Sequence, residues 1–188
     1  MKIAFIIFEG MTALDFIGVY DPIVRLKAMG FIPDLQWDIC APGEAVHDRH
    51  GLRFVPTQVG ASLKEYDMVI VPGGTGSRGL VDDSGFIEWL RTAKSSAIKA
   101  SVYTGALLLG AAGFLKGKRA TTHPKAFQDL GRYCSSVVDQ RIVDEGQVIT
   151  AGGVTASIDL GLYLCEKLAG GQAREKIRQQ LDYVRNTS

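Results

Sequence analysis

The sequence predicts an α/β protein with a mostly parallel sheet and helices on both of its faces. Short apolar runs recur along the chain, as in strands that are covered on both sides. Segments with helical periodicity separate these runs, and such an alternation is typical of parallel strands. Glycine-rich turns follow several of the runs directly. In parallel sheets these turns lie at the carboxyl ends of the strands, where binding sites form.

The predicted strands and helices alternate along most of the chain. The strands are expected at residues 2–8, 35–41, 53–56, 67–71, 98–102, 119–122, 137–143 and 147–150, with the last two forming a hairpin that turns at 144–146. The helices are expected at residues 12–29, 84–96, 104–113, a short segment from 123, 155–168 and 172–184. Pro22 is expected to bend or restart the first helix. Ser84 is the expected N-cap of the second.

Length and composition bound the class of protein. With 188 residues, the chain is long enough to bury a full core, so we expect a single domain over residues 1–188. The net charge of +1 and the lack of a basic cluster disfavour nucleic-acid binding. No apolar run reaches the length of a membrane span.

The three cysteines are Cys40, Cys134 and Cys165. Their spacing does not fit a metal site, and their odd number argues against a disulfide framework. We interpret them as core residues on strands or helices, in a protein of the reducing cytoplasm. We expect neither a metal nor a cofactor.

Tyr103 is the residue at which the sequence most strongly indicates a functional site. It closes the strand at 98–102 and opens a helix rich in small residues. A sharp strand-to-helix turn presents one side chain beside free backbone N–H groups. Enzymes place a Ser or Cys nucleophile at such an elbow. A free phenol has a pKa of about 10 and a free thiol of about 8.5, so far less phenol is ionised at neutral pH.

The glycine pair Gly73-Gly74 follows the strand at 67–71 and has two interpretations. It is either a tight turn that requires positive φ, or a source of backbone N–H groups that form an oxyanion hole with the N–H of Thr104. The segment has neither the Gly-Lys-Ser/Thr of a phosphate loop nor the glycine spacing of a dinucleotide site.

Asp15 and His123 also have structural and functional interpretations. Asp15 lies in the first turn of the first predicted helix, where the helix dipole favours an acid. Alternatively, its carboxylate is directed at the elbow as an acid, a base or an orienting group. Spacing alone favours the first interpretation. His123 is expected to be a hydrogen-bonded structural residue rather than a catalytic partner.

Several stretches of the sequence carry a resemblance to a known family. They are LDFIGVYDP (14–22), VIVPGGTG (69–76), SVYTGALLLGAAGFLKGKRATTHP (101–124) and TAGGVTASIDLGLYL (150–164). The chain resembles the ThiJ/PfpI family, whose fold is glutamine amidotransferase-like: a flavodoxin-like sandwich of three layers. Within that family it is similar to the isocyanide hydratase branch.

The resemblance implies an elbow Cys, a backbone oxyanion hole and an acid from the first helix region. Asp15 matches the acid, Gly74 matches the oxyanion turn, and Thr104 matches the residue after the nucleophile. Tyr103 occupies the place of the nucleophile itself. Protease-like members have His where this chain has Thr104, which argues against a protease or an amidase.

Three functions remain open at this point. The favoured one is a small-molecule-binding or regulatory homologue that has lost thiol catalysis. The second is a hydratase, a lyase that converts an isocyanide and water into an N-formamide with Asp15 and the backbone hole. The third is a partner-binding protein that acts through its dimer surface. In each case we expect a homodimer with an exposed apolar segment at 16–19, and a hydrogen bond between Asp15 and Tyr103.

Overall fold

A computed structural model describes residues 1–184 and has a seven-stranded sheet at its centre. The strands in the described part of the chain are β1 (Lys2–Ile6), β2 (Gln36–Ala41), β3 (Val46–His47), β4 (Arg53–Phe54), β5 (Gln58–Val59), β6 (Met68–Val71), β7 (Ile98–Val102), β8 (Arg119–Ala120), β9 (Ser136–Val137), β10 (Ile142–Asp144) and β11 (Val148–Ala151). The central sheet has the order β10-β11-β7-β6-β1-β2-β5. Its neighbouring strands are parallel except for the antiparallel pair β10 and β11.

Helices surround this sheet. They are α1 (Ala13–Ala28), α2 (Ser77–Leu80), α3 (Ser84–Arg91), α4 (Gly105–Ala111), α5 (Phe127–Leu130), α6 (Ala156–Ala169) and α7 (Gly171–Gln180), with short 3-10 turns at Thr92–Ser95 and Pro124–Ala126. Helix α1 packs along α6, and α6 packs along α7. Helices α2 and α3 pack against α4. The predicted α/β fold class, with a mostly parallel sheet and helices around it, is confirmed.

The centre of the sheet explains the apolar run at the start of the chain. β1 pairs with both β2 and β6. Each residue from Ile3 to Phe8 is at most 1% exposed. A strand that is covered on both faces has no polar side, so its sequence does not alternate. No helix among residues 1–184 is long and apolar enough to cross a membrane.

Several predicted details of these elements are wrong. The N-cap of α3 is Asp83, not Ser84, because the Asp83 side chain accepts a hydrogen bond from the Phe86 N–H over 3.0 Å. Pro22 does not restart α1, because the helix runs through it as one element from Ala13 to Ala28. The segment at Ser136–Val137 does not continue into the hairpin but pairs with β8 in a separate small sheet. Cys134 lies in a turn, not in a strand or a helix.

Segment 16–19 was expected to be exposed, and this is wrong for its first and last residues, Phe16 and Val19. Phe16 is 5% exposed and Val19 is fully buried, whereas Leu14 and Ile17 are 44% and 42% exposed. Phe16 packs its ring against those of Phe5, Tyr20 and Phe54. The helical period explains the difference, because residues three apart share one face of α1 and their neighbours point to the other.

Candidate functional site

The elbow at Tyr103 has the geometry of a strained turn. Tyr103 stands between β7 and α4 with a φ of 53°. Positive φ is uncommon outside glycine and costs about 1–3 kcal/mol. The Tyr103 N–H donates to the Ala151 carbonyl over 2.9 Å, and the Tyr103 carbonyl accepts from the Thr122 hydroxyl over 2.6 Å. Neighbouring segments therefore hold this backbone in place on both sides.

The ring of Tyr103 lies between the glycine turn and His123. Its edge-to-face contact with the His123 ring has a centroid distance of 5.1 Å. A Cβ added to Gly73 would stand 2.7 Å from Tyr103 Cδ1, so the ring covers Gly73 closely. His123 Nδ1 accepts from the Lys125 N–H over 3.2 Å and caps the 3-10 turn. His123 thus makes a hydrogen bond, as expected, but spacing did not reveal that its ring contacts Tyr103.

The glycine turn after β6 uses its own backbone donors within the chain. The Gly73 N–H donates to Asp15 Oδ2, and the Gly74 N–H donates to Thr104 Oγ1, each over 2.9 Å. Gly74 has a φ of 138°, a backbone conformation that favours glycine, so the turn requires glycine at this position. By contrast, the Thr104 N–H has no acceptor among residues 1–184. The Thr104 N–H is therefore a backbone donor that remains available at this edge of the sheet.

Asp15 is fully buried, although it lies in the first turn of α1. Its Oδ2 accepts from Gly73, and its Oδ1 has no hydrogen-bond partner within the described residues. Burial raises the pKa of the Asp15 carboxyl to about 7, against the opposing effect of the Gly73 N–H. Protonated and ionised forms therefore coexist near neutral pH. The side chain points into the protein toward the glycine turn.

The predicted hydrogen bond between Asp15 and Tyr103 is absent from the described structure, so that prediction is wrong. Asp15 bonds to the Gly73 N–H instead. The backbone of Gly73 separates the two side chains, since it bonds to the carboxyl and also lies against the Tyr103 ring. The structure thus brings both residues to one glycine turn without direct contact between them.

Ser77 is a buried residue of this region that the sequence analysis missed. Its Oγ lies 2.8 Å from the Gly74 carbonyl oxygen and 2.9 Å from Thr104 Oγ1. It is fully buried, although it stands at the first residue of α2. A serine three residues after a turn glycine at a helix start was an available signal, because Ser hydroxyls often bond to nearby backbone there.

The three cysteines are not activated thiols. Burial raises the pKa of Cys40 to about 11 and that of Cys165 to about 12. Burial also raises the pKa of the Cys134 thiol. Among residues 1–184, no group of three or more His, Cys, Asp or Glu side chains is arranged to hold a metal ion.

A strained elbow at the end of a parallel strand, beside a glycine turn and a buried acid, defines a class of α/β proteins with elbow-type sites. The chain belongs to the DJ-1/PfpI family, whose family model matches residues 1–167. This finding confirms the ThiJ/PfpI resemblance.

Similar proteins include an isonitrile hydratase from Pseudomonas putida, which is 36% identical over 98% of this chain and 79% of its own length. An HTH-type transcriptional regulator from Pseudomonas aeruginosa is 30% identical over 94% of this chain, which spans 53% of that regulator. The crystal structure of a ThiJ/PfpI family protein from Pseudomonas syringae matches with a TM-score of 0.89 at 27% identity. The match covers 98% of this chain and 76% of the Pseudomonas syringae chain.

Proposed function

We propose that this chain is an isonitrile hydratase-like protein that binds a small molecule at its elbow and lacks thiol catalysis. The observation that carries the proposal is Tyr103 at the strained turn between β7 and α4. In this proposal Tyr103 stands in the place of a nucleophilic cysteine, and residues 1–188 form one domain. The raised pKa values of Cys40, Cys134 and Cys165 support it, because none of these thiols is poised to take over.

The groups around the elbow supply the proposed ligand contacts. The Thr104 N–H is free to donate, and Gly73 and Gly74 form the wall of the site. The Asp15 carboxyl has an oxygen without a partner among the described residues. An isocyanide suits this set, because it is small and neutral and its terminal carbon accepts a hydrogen bond. The Tyr103 ring narrows the site, so small ligands are favoured.

Thermal unfolding tests the proposed binding. A ligand at a hundredfold excess over its Kd stabilises the folded state by about 2.7 kcal/mol, which raises Tm by about 5 °C or more. We expect such a rise with an alkyl isocyanide and a smaller one with the alkyl cyanide of the same shape. Tyr103→Trp, which enlarges the ring over Gly73, should abolish the difference between the Tm rises with the isocyanide and with the cyanide. An isocyanide that leaves Tm unchanged up to its solubility limit contradicts the proposal.

A second candidate is a hydratase that works without a covalent intermediate. The observation that favours it is Asp15, whose burial raises the pKa to about 7 and leaves Oδ1 without a partner in residues 1–184. Such a carboxylate can take a proton from water while the water oxygen attacks the terminal carbon of the isocyanide. The carboxylic acid can then return that proton to the same carbon. Tautomerisation gives the N-formamide. Loss of formamide production in Asp15→Asn would support this candidate, whereas no production by the wild type would exclude it.

We also propose that the protein is a homodimer in a reducing compartment, the cytoplasm. Leu14 and Ile17 support the dimer, since both are large, apolar and more than two-fifths exposed, at 44% and 42%. They line a groove of about 200 Å³ together with Ile158 and Tyr183. The same surface would serve the third candidate, a partner-binding protein without a ligand.

A further inference from the structure

Two buried hydroxyl groups fasten the glycine turn to the elbow. Thr104 Oγ1 lies 2.9 Å from the Gly74 nitrogen, 3.1 Å from the Gly74 carbonyl oxygen and 2.9 Å from Ser77 Oγ. Ser77 Oγ also lies 2.8 Å from the Gly74 carbonyl oxygen. Thr104 Oγ1 therefore accepts the Gly74 N–H, and the two hydroxyl protons are shared among the remaining short contacts. Ser77 is fully buried and Thr104 is 3% exposed, so water does not compete.

The other side of the turn is fastened to α1. Gly73 donates its N–H to Asp15 Oδ2 over 2.9 Å, and its carbonyl accepts from the Thr12 N–H over 2.8 Å. Consecutive residues of one turn thus bond to the acid on one side and to the hydroxyl pair on the other. A shift of Gly74 moves Gly73 with it, because the peptide bond between them is planar and stiff.

We propose that Ser77 is a positioning residue which, with the side chain of Thr104, holds the glycine turn so that the Gly73 N–H stays aligned on Asp15. Ser77 makes no hydrogen bond to Asp15, and it contacts the Thr104 hydroxyl and the Gly74 carbonyl rather than the Thr104 N–H that is proposed to meet a ligand. It acts through Thr104 Oγ1 and the Gly74 carbonyl. Removing either hydroxyl frees the turn to move and weakens the Gly73 bond to the carboxyl.

The consequence is measurable at the Asp15 carboxyl. A hydrogen bond from a backbone N–H stabilises the ionised form and lowers the pKa. Burial already raises the pKa of Asp15, and the Gly73 N–H opposes that rise. Weakening the Gly73 bond therefore shifts the midpoint of Asp15 further upward. General destabilisation of the fold does not have this signature, since it leaves the folded midpoint where it was.

The test is the titration of Asp15 by carbon NMR of the aspartate carboxyl resonances in the full chain, with Asp15→Asn identifying the signal. Ser77→Ala and Thr104→Val should each shift the midpoint upward by about half a pH unit or more. Thr104→Ser keeps the accepting oxygen and should restore the wild-type midpoint. Ser96→Ala is the matched control, because Ser96 is a buried hydroxyl, 2% exposed, outside this network.

A midpoint that is the same in wild type, Ser77→Ala and Thr104→Val overturns the proposal, and so does an equal shift in Ser96→Ala. The unmodified chain provides a second measurement if a variant does not fold. Titrating Asp15 should change the amide chemical shifts of Gly73, Gly74 and Ser77 with one midpoint. A Gly74 or Ser77 amide shift that does not change with the titration overturns the proposal. The readout is a proton equilibrium, so its failure is distinguishable from a failure to bind isocyanide.

Discussion

The backbone N–H of Gly73 donates a hydrogen bond of 2.9 Å to the buried carboxyl of Asp15. This contact joins the first turn of α1 to the turn after β6, at the edge of the sheet where the elbow also lies. It is the one neutral donor that compensates for the burial of Asp15 within the described residues. The acid therefore keeps a pKa of about 7 and remains able to exchange a proton near neutral pH.

Asp15 makes the stability of the protein fall as the pH rises. Its pKa is raised from 3.8 unfolded to about 7 folded, so the native state binds more protons between these values. The contribution of Asp15 to the free energy of unfolding is fully present below its pKa in the unfolded chain. It is lost as the pH rises through its pKa in the folded protein. Between about pH 5 and pH 8, we expect wild type to lose about 2–3 kcal/mol of its free energy of unfolding. Asp15→Asn should remove most of this loss.

Urea unfolding at both pH values measures the effect. Asp139→Asn is the control, because Asp139 is exposed and its replacement should leave the slope in place. Equal pH slopes in wild type and Asp15→Asn would show that the carboxyl does not titrate as described.

Gly74→Ala should destabilise the protein by about 3 kcal/mol or more. The φ of 138° at Gly74 strains any other residue, and a Cβ would stand 2.5 Å from Met11 Cα. Gly79→Ala is the matched control, since a Cβ there has no neighbour within 4 Å and the residue lies in α2. That control should stay within about 1 kcal/mol of wild type, because Ala favours a helix over Gly. Urea unfolding measures the free energy of unfolding of both variants. Equal losses in the two would contradict the packing described for the turn.

Tyr103→Cys should create a reactive thiol. The elbow backbone and the free Thr104 N–H do not depend on the side chain at 103, and a helix N-terminus stabilises a thiolate. Asp15 makes no direct contact with residue 103, so it acts on the thiol only through its charge, which raises the thiol pKa when Asp15 is ionised. The rate of alkylation by iodoacetamide should exceed that of wild type, whose thiols Cys40, Cys134 and Cys165 all have raised pKa values.

Tyr103→Ser, which opens the same space without a thiol, controls for improved access to those three cysteines. A variant thiol no more reactive than this background would limit the similarity to isonitrile hydratase to the fold. If the thiol is reactive, formamide production from an isocyanide should appear as well.

Replacing exposed apolar residues of α1 should dissociate the proposed dimer. We expect wild type to sediment as a dimer at micromolar concentration and Ile17→Glu to sediment as a monomer, because a charge in an apolar interface is costly. Val55→Glu is the control, since Val55 is 64% exposed and lies outside the groove of Leu14 and Ile17. A monomeric wild type would refute the dimer.

The sequence predicted the features of this protein that depend on local pattern. The apolar run of β1, the elbow at Tyr103 and the hairpin of β10 and β11 each have a short, strong signal. The direction of side chains was harder. Phe16 and Ile17 are both apolar, and only the packing of α1 decides which of them is buried.

Contacts between distant segments were not accessible from the pattern. Asp83 and Ser84 are both good helix caps, and the backbone geometry at Asp83 selects between them. Asp15, the segment from Gly73 to Ser77 and Thr104 lie far apart in sequence. Their network depends on how α1, the turn after β6 and the elbow meet. The resemblance to a family brought Asp15 and Tyr103 to one site, but it did not show that Gly73 stands between them.

The central claim is that the elbow binds an isocyanide without turning it over, because a phenol stands where a thiol would react. The most direct measurement is N-formamide production by proton NMR, with wild-type protein in stoichiometric excess over an alkyl isocyanide and with Asp15→Asn and buffer alone alongside. We expect wild type to produce formamide no faster than Asp15→Asn or buffer, while the isocyanide still raises the Tm of wild type. Production by wild type that is faster than both, and that is lost in Asp15→Asn, would contradict binding without turnover and establish the hydratase.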